Sequence, residues 1–136
     1  MKLFLLLLSV HFFTLAADIR WSHNYKEALQ DAQEQNKLIY ILITSKSCQW
    51  CKKFEQTTLQ DENLQTKLLK DFIPIHLVRD VDAVPSQLKT SPVPRHYFIN
   101  TKGDILYEAL GFRDVEVFES FLGNAKEKFM KQKGEQ

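Results

Sequence analysis

The sequence predicts one α/β domain built on a central mixed β-sheet of about four strands, with helices on both faces. Three observations predict it. Residues 38–43, LIYILI, form an unbroken apolar run that is short, rich in Ile and without alternation, as expected of a strand buried on both faces. Stretches of helical period stand on either side of that run. Later, residues 97–99 and 105–107 are apolar runs separated by Asn100-Thr101-Lys102-Gly103, which predicts a hairpin.

Each element has its own signal. Residues 1–17, MKLFLLLLSVHFFTLAA, combine a single basic residue (Lys2), a short apolar stretch and a small-residue end at Ala16-Ala17. This is the pattern of an export signal, and the run is shorter than the about 20 apolar residues a bilayer core needs. The expected division is therefore a signal peptide at 1–17 and a domain at 18–136. Asn24 with Glu27 three residues on has the spacing of a capping box. Tyr25, Ala28, Leu29 and Ala32 then recur at helical spacing, predicting a helix that ends near Asn36.

After the first strand, 44–47 is a polar loop. Residues 48–59 lack Gly and Pro and are rich in helix formers. Residues 61–70 can form a second helical stretch with Leu64, Leu68 and Leu69 on one side. A second strand is expected over 72–78, then a loop with a short helix over 80–90. Asp114 can cap a final helix whose apolar face is Val117, Phe118, Phe121 and Leu122.

Composition excludes several function classes. With 18 basic and 17 acidic side chains, there is no electrostatic footprint for nucleic acid. Four Gly, four Pro and two Cys exclude collagen, low-complexity linkers and multi-disulfide scaffolds. An exported domain would hold its cysteines where disulfides persist.

The chemistry concentrates at Ser47-Cys48-Gln49-Trp50-Cys51-Lys52. The C-x-x-C pair follows a buried strand and opens a helix. Free N–H groups at a helix N-terminus favour negative charge, so a Cys48 thiolate would be held there with its pKa below the usual thiol value. Lys46, Lys52 and Lys53 add positive charge. Cys51, one turn inside, is within reach and more shielded. This suits thiol–disulfide exchange: Cys48 attacks, and Cys51 resolves the mixed disulfide. A disulfide closing so small a loop would be a poor staple. A zinc site lacks further ligands, and Lys52 after Cys51 breaks the haem-attachment pattern. Copper handling and a vestigial or structural pair stay open.

The ordered set Trp21, Cys48/Cys51, Pro94, Gly103 and Gly111 resembles the thioredoxin superfamily, and most closely its exported members. The resemblance spans nearly all of 18–136 and implies a thioredoxin-like fold. It also implies a cis Val93–Pro94 bond that leaves the backbone of Val93 free to pair with an extended substrate; Pro92 is the rival. The expected catalytic residues are Cys48 and Cys51, and the expected substrate groove is Trp50, Val93, Pro94 and Arg95. Two departures matter. The dipeptide between the cysteines is Gln49-Trp50 rather than Gly-Pro. The position six residues before the first cysteine, a buried Asp in thioredoxin, is Leu42, so the Cys51 proton must leave by another route, through water or Glu55.

Trp21 is expected to pack the first helix on the sheet. His23, His76 and His96 are widely separated, and none is assigned to a metal; His96 lies closest to Pro94. The expectation is thus a thiol–disulfide oxidoreductase acting on protein substrates, as a reductase, in the periplasm or another exported compartment. It needs no dissociable cofactor, because the cysteines carry the electrons. A membrane thiol transporter would recharge a bacterial reductase of this kind. The alternative is a binding module, a chaperone or metallochaperone that holds clients in the same groove.

Overall fold

The computed structural model describes residues 18–135; the expected signal segment 1–17 lies outside the described residues. The elements are α1 (Tyr25–Gln35), β1 (Leu38–Thr44), α2 (Gln49–Gln56), a 3-10 turn (Thr58–Gln60), α3 (Glu62–Asp71), β2 (Phe72–Val78), β3 (Arg95–Ile99), β4 (Ile105–Leu110) and α4 (Val115–Gly134). The four strands form one sheet in the order β2-β1-β3-β4. β1 runs parallel to β2 and antiparallel to β3, and β3 and β4 form the hairpin.

Local sequence sets the helix ends. Asn24 Oδ1 accepts the N–H groups of Lys26 and Glu27, opening α1. Asn36 closes it in the left-handed region at φ 51°. Asp61 and Asp114 cap α3 and α4 through the N–H groups of Leu64 and Val117. In the hairpin, Gly103 at φ 88° supplies the turn, and Asn100 Oδ1 accepts from the N–H groups of Lys102 and Asp104.

Every residue of β1 is buried. Its alternate side chains feed two different cores. Leu38, Tyr40 and Leu42 point to one face, with Phe54, Leu64, Leu68, Phe72, Phe98, Phe118 and Phe121. Ile39, Ile41 and Ile43 point to the other, with Ala28, Ala32, Ile75, Leu77, Tyr97 and Ile99. Thus α2, α3 and α4 cover the first face and α1 the second.

Three expectations need correction. Trp21 does not pack α1 on the sheet: it joins the core on the opposite face, against Tyr40 and His76 at 6.1 and 5.6 Å between ring centroids. The reason is that the chain before α1 runs along the β2 edge, with Ser22 bonded to Pro74 O and to the N–H of His76, so alternate residues face alternate sides. Residues 80–90 contain turns but no helix. Their backbone groups are used otherwise: Val78 N–H donates to Asp82, Leu88 N–H to Pro85 O, and Lys89 N–H to Tyr97 Oη. Finally, β3, β4 and α4 extend beyond the runs that signalled them, because pairing and packing carry polar residues such as Arg95 and Glu108 along.

Candidate functional site

α2 begins where β1 ends, at the upper rim of the sheet. Between them, the loop is pinned by Lys46 N–H donating to Asp80 and by Arg79 N–H donating to Thr44 O. Cys48 is the N-cap of α2, in extended conformation. Its Sγ accepts the Cys51 N–H at 3.1 Å. Sulfur therefore occupies the place a Ser or Asp oxygen usually takes. Cys48 and Cys51 are joined in a disulfide with their Cα atoms 5.2 Å apart. Cys48 is partly exposed, whereas Cys51 is 1% exposed. The outer cysteine is open to solvent and the inner one is shielded.

The peptide before Pro94 is cis, as is the Ser91–Pro92 peptide. A cavity of about 350 Å³ is lined by Trp50, Val93, Pro94, Gly111 and Phe112. Trp50 is 50% exposed, lies 6.0 Å from the Phe112 ring, and shares with it the ammonium of Lys53, at 5.0 and 4.9 Å from the two centroids. Arg95 donates to Ser91 O at 3.3 Å and so braces the proline turn. Trp50, Val93, Pro94 and the cysteine-bearing helix end are thus brought to one rim; Arg95 stands behind the turn.

Phe112 is a groove residue that the sequence reading passed over. Its signal was adjacency to Gly111, which has φ 89° and donates its N–H to Pro94 O at 2.8 Å. Gly111 is held on its other side as well. Its carbonyl lies 2.9 Å from His96 Nε2, so that nitrogen carries the proton and donates. His96 Nδ1 then accepts the Tyr40 hydroxyl at 2.9 Å. Burial lowers the His96 pKa to about 4, with the Gly111 bond opposing and Arg113 adding to the fall. Burial raises Tyr40 well above the ordinary tyrosine range, helped by the charge of Glu55.

Behind Cys51 lies a second polar group. Glu55 Oε1 is 3.6 Å from His76 Nδ1, and His76 Nε2 is 2.8 Å from Thr44 Oγ1. Burial raises the Glu55 carboxyl and lowers the His76 imidazole; nearby His23 lowers the latter further and Asp82 opposes. Among the described residues, no group of three or more His, Cys, Asp or Glu is placed to hold a metal ion.

The profile of a thioredoxin-like family matches residues 20–101. The chain belongs to the thioredoxin-like family. Among solved structures, a DsbH oxidoreductase superposes with TM-score 0.67 at 20% identity, over 82% of this chain and 87% of that one. A thioredoxin from Thermus thermophilus gives 0.64 at 21% identity, over 76% and 84%. At such identities the likeness shows the thioredoxin-like fold. Among curated proteins, anterior gradient protein 3 of Xenopus tropicalis is 26% identical over 83 residues, covering 61% of this chain and 51% of its own length. The chain matches about half the length of such relatives. No helix among the described residues is long and apolar enough to cross a membrane.

Proposed function

We propose that this chain is a thiol–disulfide oxidoreductase that exchanges disulfides with protein substrates and works as a reductase. The observation that carries the reading is the Cys48–Cys51 disulfide at the N-terminus of α2, with the outer sulfur capping the helix and the inner one buried. In the dithiol state, the Cys51 N–H and the helix end favour a thiolate on Cys48. That thiolate attacks a substrate disulfide; the Cys51 sulfur then attacks Cys48, the internal disulfide forms, and the substrate leaves reduced. Val93 and Pro94 offer the extended backbone of the substrate a place beside the sulfurs, and Trp50 with Phe112 offers its side chains an apolar surface.

We read residues 1–17 as an export signal and the compartment as the periplasm, where a membrane thiol transporter would keep the pair reduced. Equilibration with glutathione tests the central reading. A reversible couple near roughly −270 mV is expected of a reductase, and one near roughly −120 mV marks an oxidant. Absence of any couple would favour a client-holding module, the reading that the half-exposed Trp50 supports. Cys51→Ala should accumulate mixed disulfides with substrates; equal accumulation by Cys48→Ala would reverse the two roles.

A further inference from the structure

Pro94 and Gly111 stand opposite each other, one step beyond the Arg95–Leu110 pair that ends the β3–β4 ladder. Gly111 N–H donates to Pro94 O at 2.8 Å. In an antiparallel sheet a pair of this kind exchanges two such bonds. The return bond cannot form here, because proline has no N–H. The Gly111 carbonyl takes its donor from His96 Nε2 instead, at 2.9 Å. An imidazole thus supplies what the backbone of residue 94 lacks.

His96 is fixed in place for this bond. It is fully buried, with its ring 4.9 and 5.6 Å from those of Phe54 and Phe118. The Tyr40 hydroxyl donates to Nδ1 at 2.9 Å, which leaves the ring proton on Nε2. Burial keeps the imidazole neutral at pH 7, and Arg113 adds to the effect. An aliphatic side chain would fill the same apolar space with no polar atoms to satisfy, so packing alone does not call for histidine. Beyond Gly111, at φ 89°, the chain leaves the sheet. Phe112 O there accepts Arg113 Nη1 at 2.8 Å, and Arg113 O accepts the Thr58 hydroxyl at 2.6 Å. The three carbonyls of residues 111–113 each take a side-chain donor, and His96 holds the first of them.

We propose that His96, oriented by Tyr40, is a positioning residue for the substrate groove: by holding the Gly111 carbonyl it sets Phe112 against Pro94, the two sides between which an extended substrate lies. The proposal rests on the exchange reading above. The groove is the cavity of about 350 Å³ lined by Trp50, Val93, Pro94, Gly111 and Phe112. The role of His96 concerns the fit of the substrate rather than the reactivity of Cys48. A polypeptide disulfide must lie along the groove to present its sulfur. A small aromatic disulfide such as Ellman's reagent reaches the partly exposed Cys48 without filling it.

Second-order rate constants of the reduced protein on insulin and on Ellman's reagent separate the two. His96→Leu should lower the insulin constant about tenfold and leave the Ellman constant within about twofold of wild type. His96→Gln, whose amide can donate to Gly111 O, should recover most of the insulin rate. Tyr40→Phe, which frees the imidazole to turn, should lower the insulin constant about threefold with the Ellman constant unchanged. An insulin constant within about twofold of wild type in His96→Leu, an equal fall on both disulfides, or a Gln variant as slow as Leu overturns the assignment. Should His96→Leu not fold, Tyr40→Phe decides, and a wild-type insulin constant there overturns it. If wild type reduces neither disulfide, the exchange reading fails and the assignment with it; normal wild-type rates with unaffected variants sink only the role of His96.

Discussion

The two faces of the sheet are made from the same strands and differ in kind. The face covered by α1 is mostly aliphatic: Ile39, Ile41, Ile43, Ile75 and Leu77 against Ala28 and Ala32. The face covered by α2, α3 and α4 is aromatic, with Tyr40, Phe54, Phe72, Phe98 and Phe118 in mutual contact. It also holds the polar groups behind the site: Thr44, His76 and His96. The small helix-facing alanines let α1 approach closely. On the other side, large rings leave shaped space in which an imidazole can be buried with both nitrogens bonded. One face supplies cohesion; the other supplies cohesion and also holds Thr44, His76 and His96 in hydrogen bonds.

That contrast can be broken by substitution. The largest expected effect is Phe98→Ala, which opens a cavity at the centre of the aromatic face and should cost about 4 kcal/mol in urea unfolding. Next is the pH dependence of His96. Its folded pKa is near 4 against 6.5 for the free group, so the unfolded chain takes up the proton first. The stability it contributes is complete above about pH 6.5, falls by about 3 kcal/mol as the pH drops towards 4, and then levels. Unfolding free energies at several pH values, compared with those of His96→Asn, measure this; equal slopes would remove His96 as the source.

Tyr40→Phe is a finer probe. It leaves His96 Nδ1 buried without a donor and should cost about 2 kcal/mol. It should also loosen Gly111, seen as faster amide exchange at Gly111. The smallest effect belongs to the aliphatic face: Ile41→Val should cost about 1 kcal/mol and leave the rate of disulfide exchange at the wild-type value. Slowed exchange in that variant would abolish the distinction between the faces.

Much of this was legible in the sequence. The unbroken LIYILI run marked the strand buried on both sides, and the caps at Asn24 and Asp114 marked helix starts to the residue. Cys48 was recognisable as a helix-opening residue because of what preceded it. What escaped was whatever depends on register between distant elements. Nothing local distinguishes Tyr40 from its Ile neighbours, yet alternation places it under the site. Glu55 and His76 are 21 positions apart on different elements, and only the packing of α2 over β2 sets them side by side. The extent of β4 was hidden for a related reason: Glu108 and Leu110 are recruited by pairing with Tyr97 and Arg95 rather than by their own propensity.

The short bridge between Ser22 and Ile75 has a consequence for association with other chains. It hems the outer margin of β2, where Pro74 already lacks the N–H that a neighbour would need. β4, at the far border, has no such guard among the described residues. A foreign strand that zipped onto this sheet would therefore join along β4.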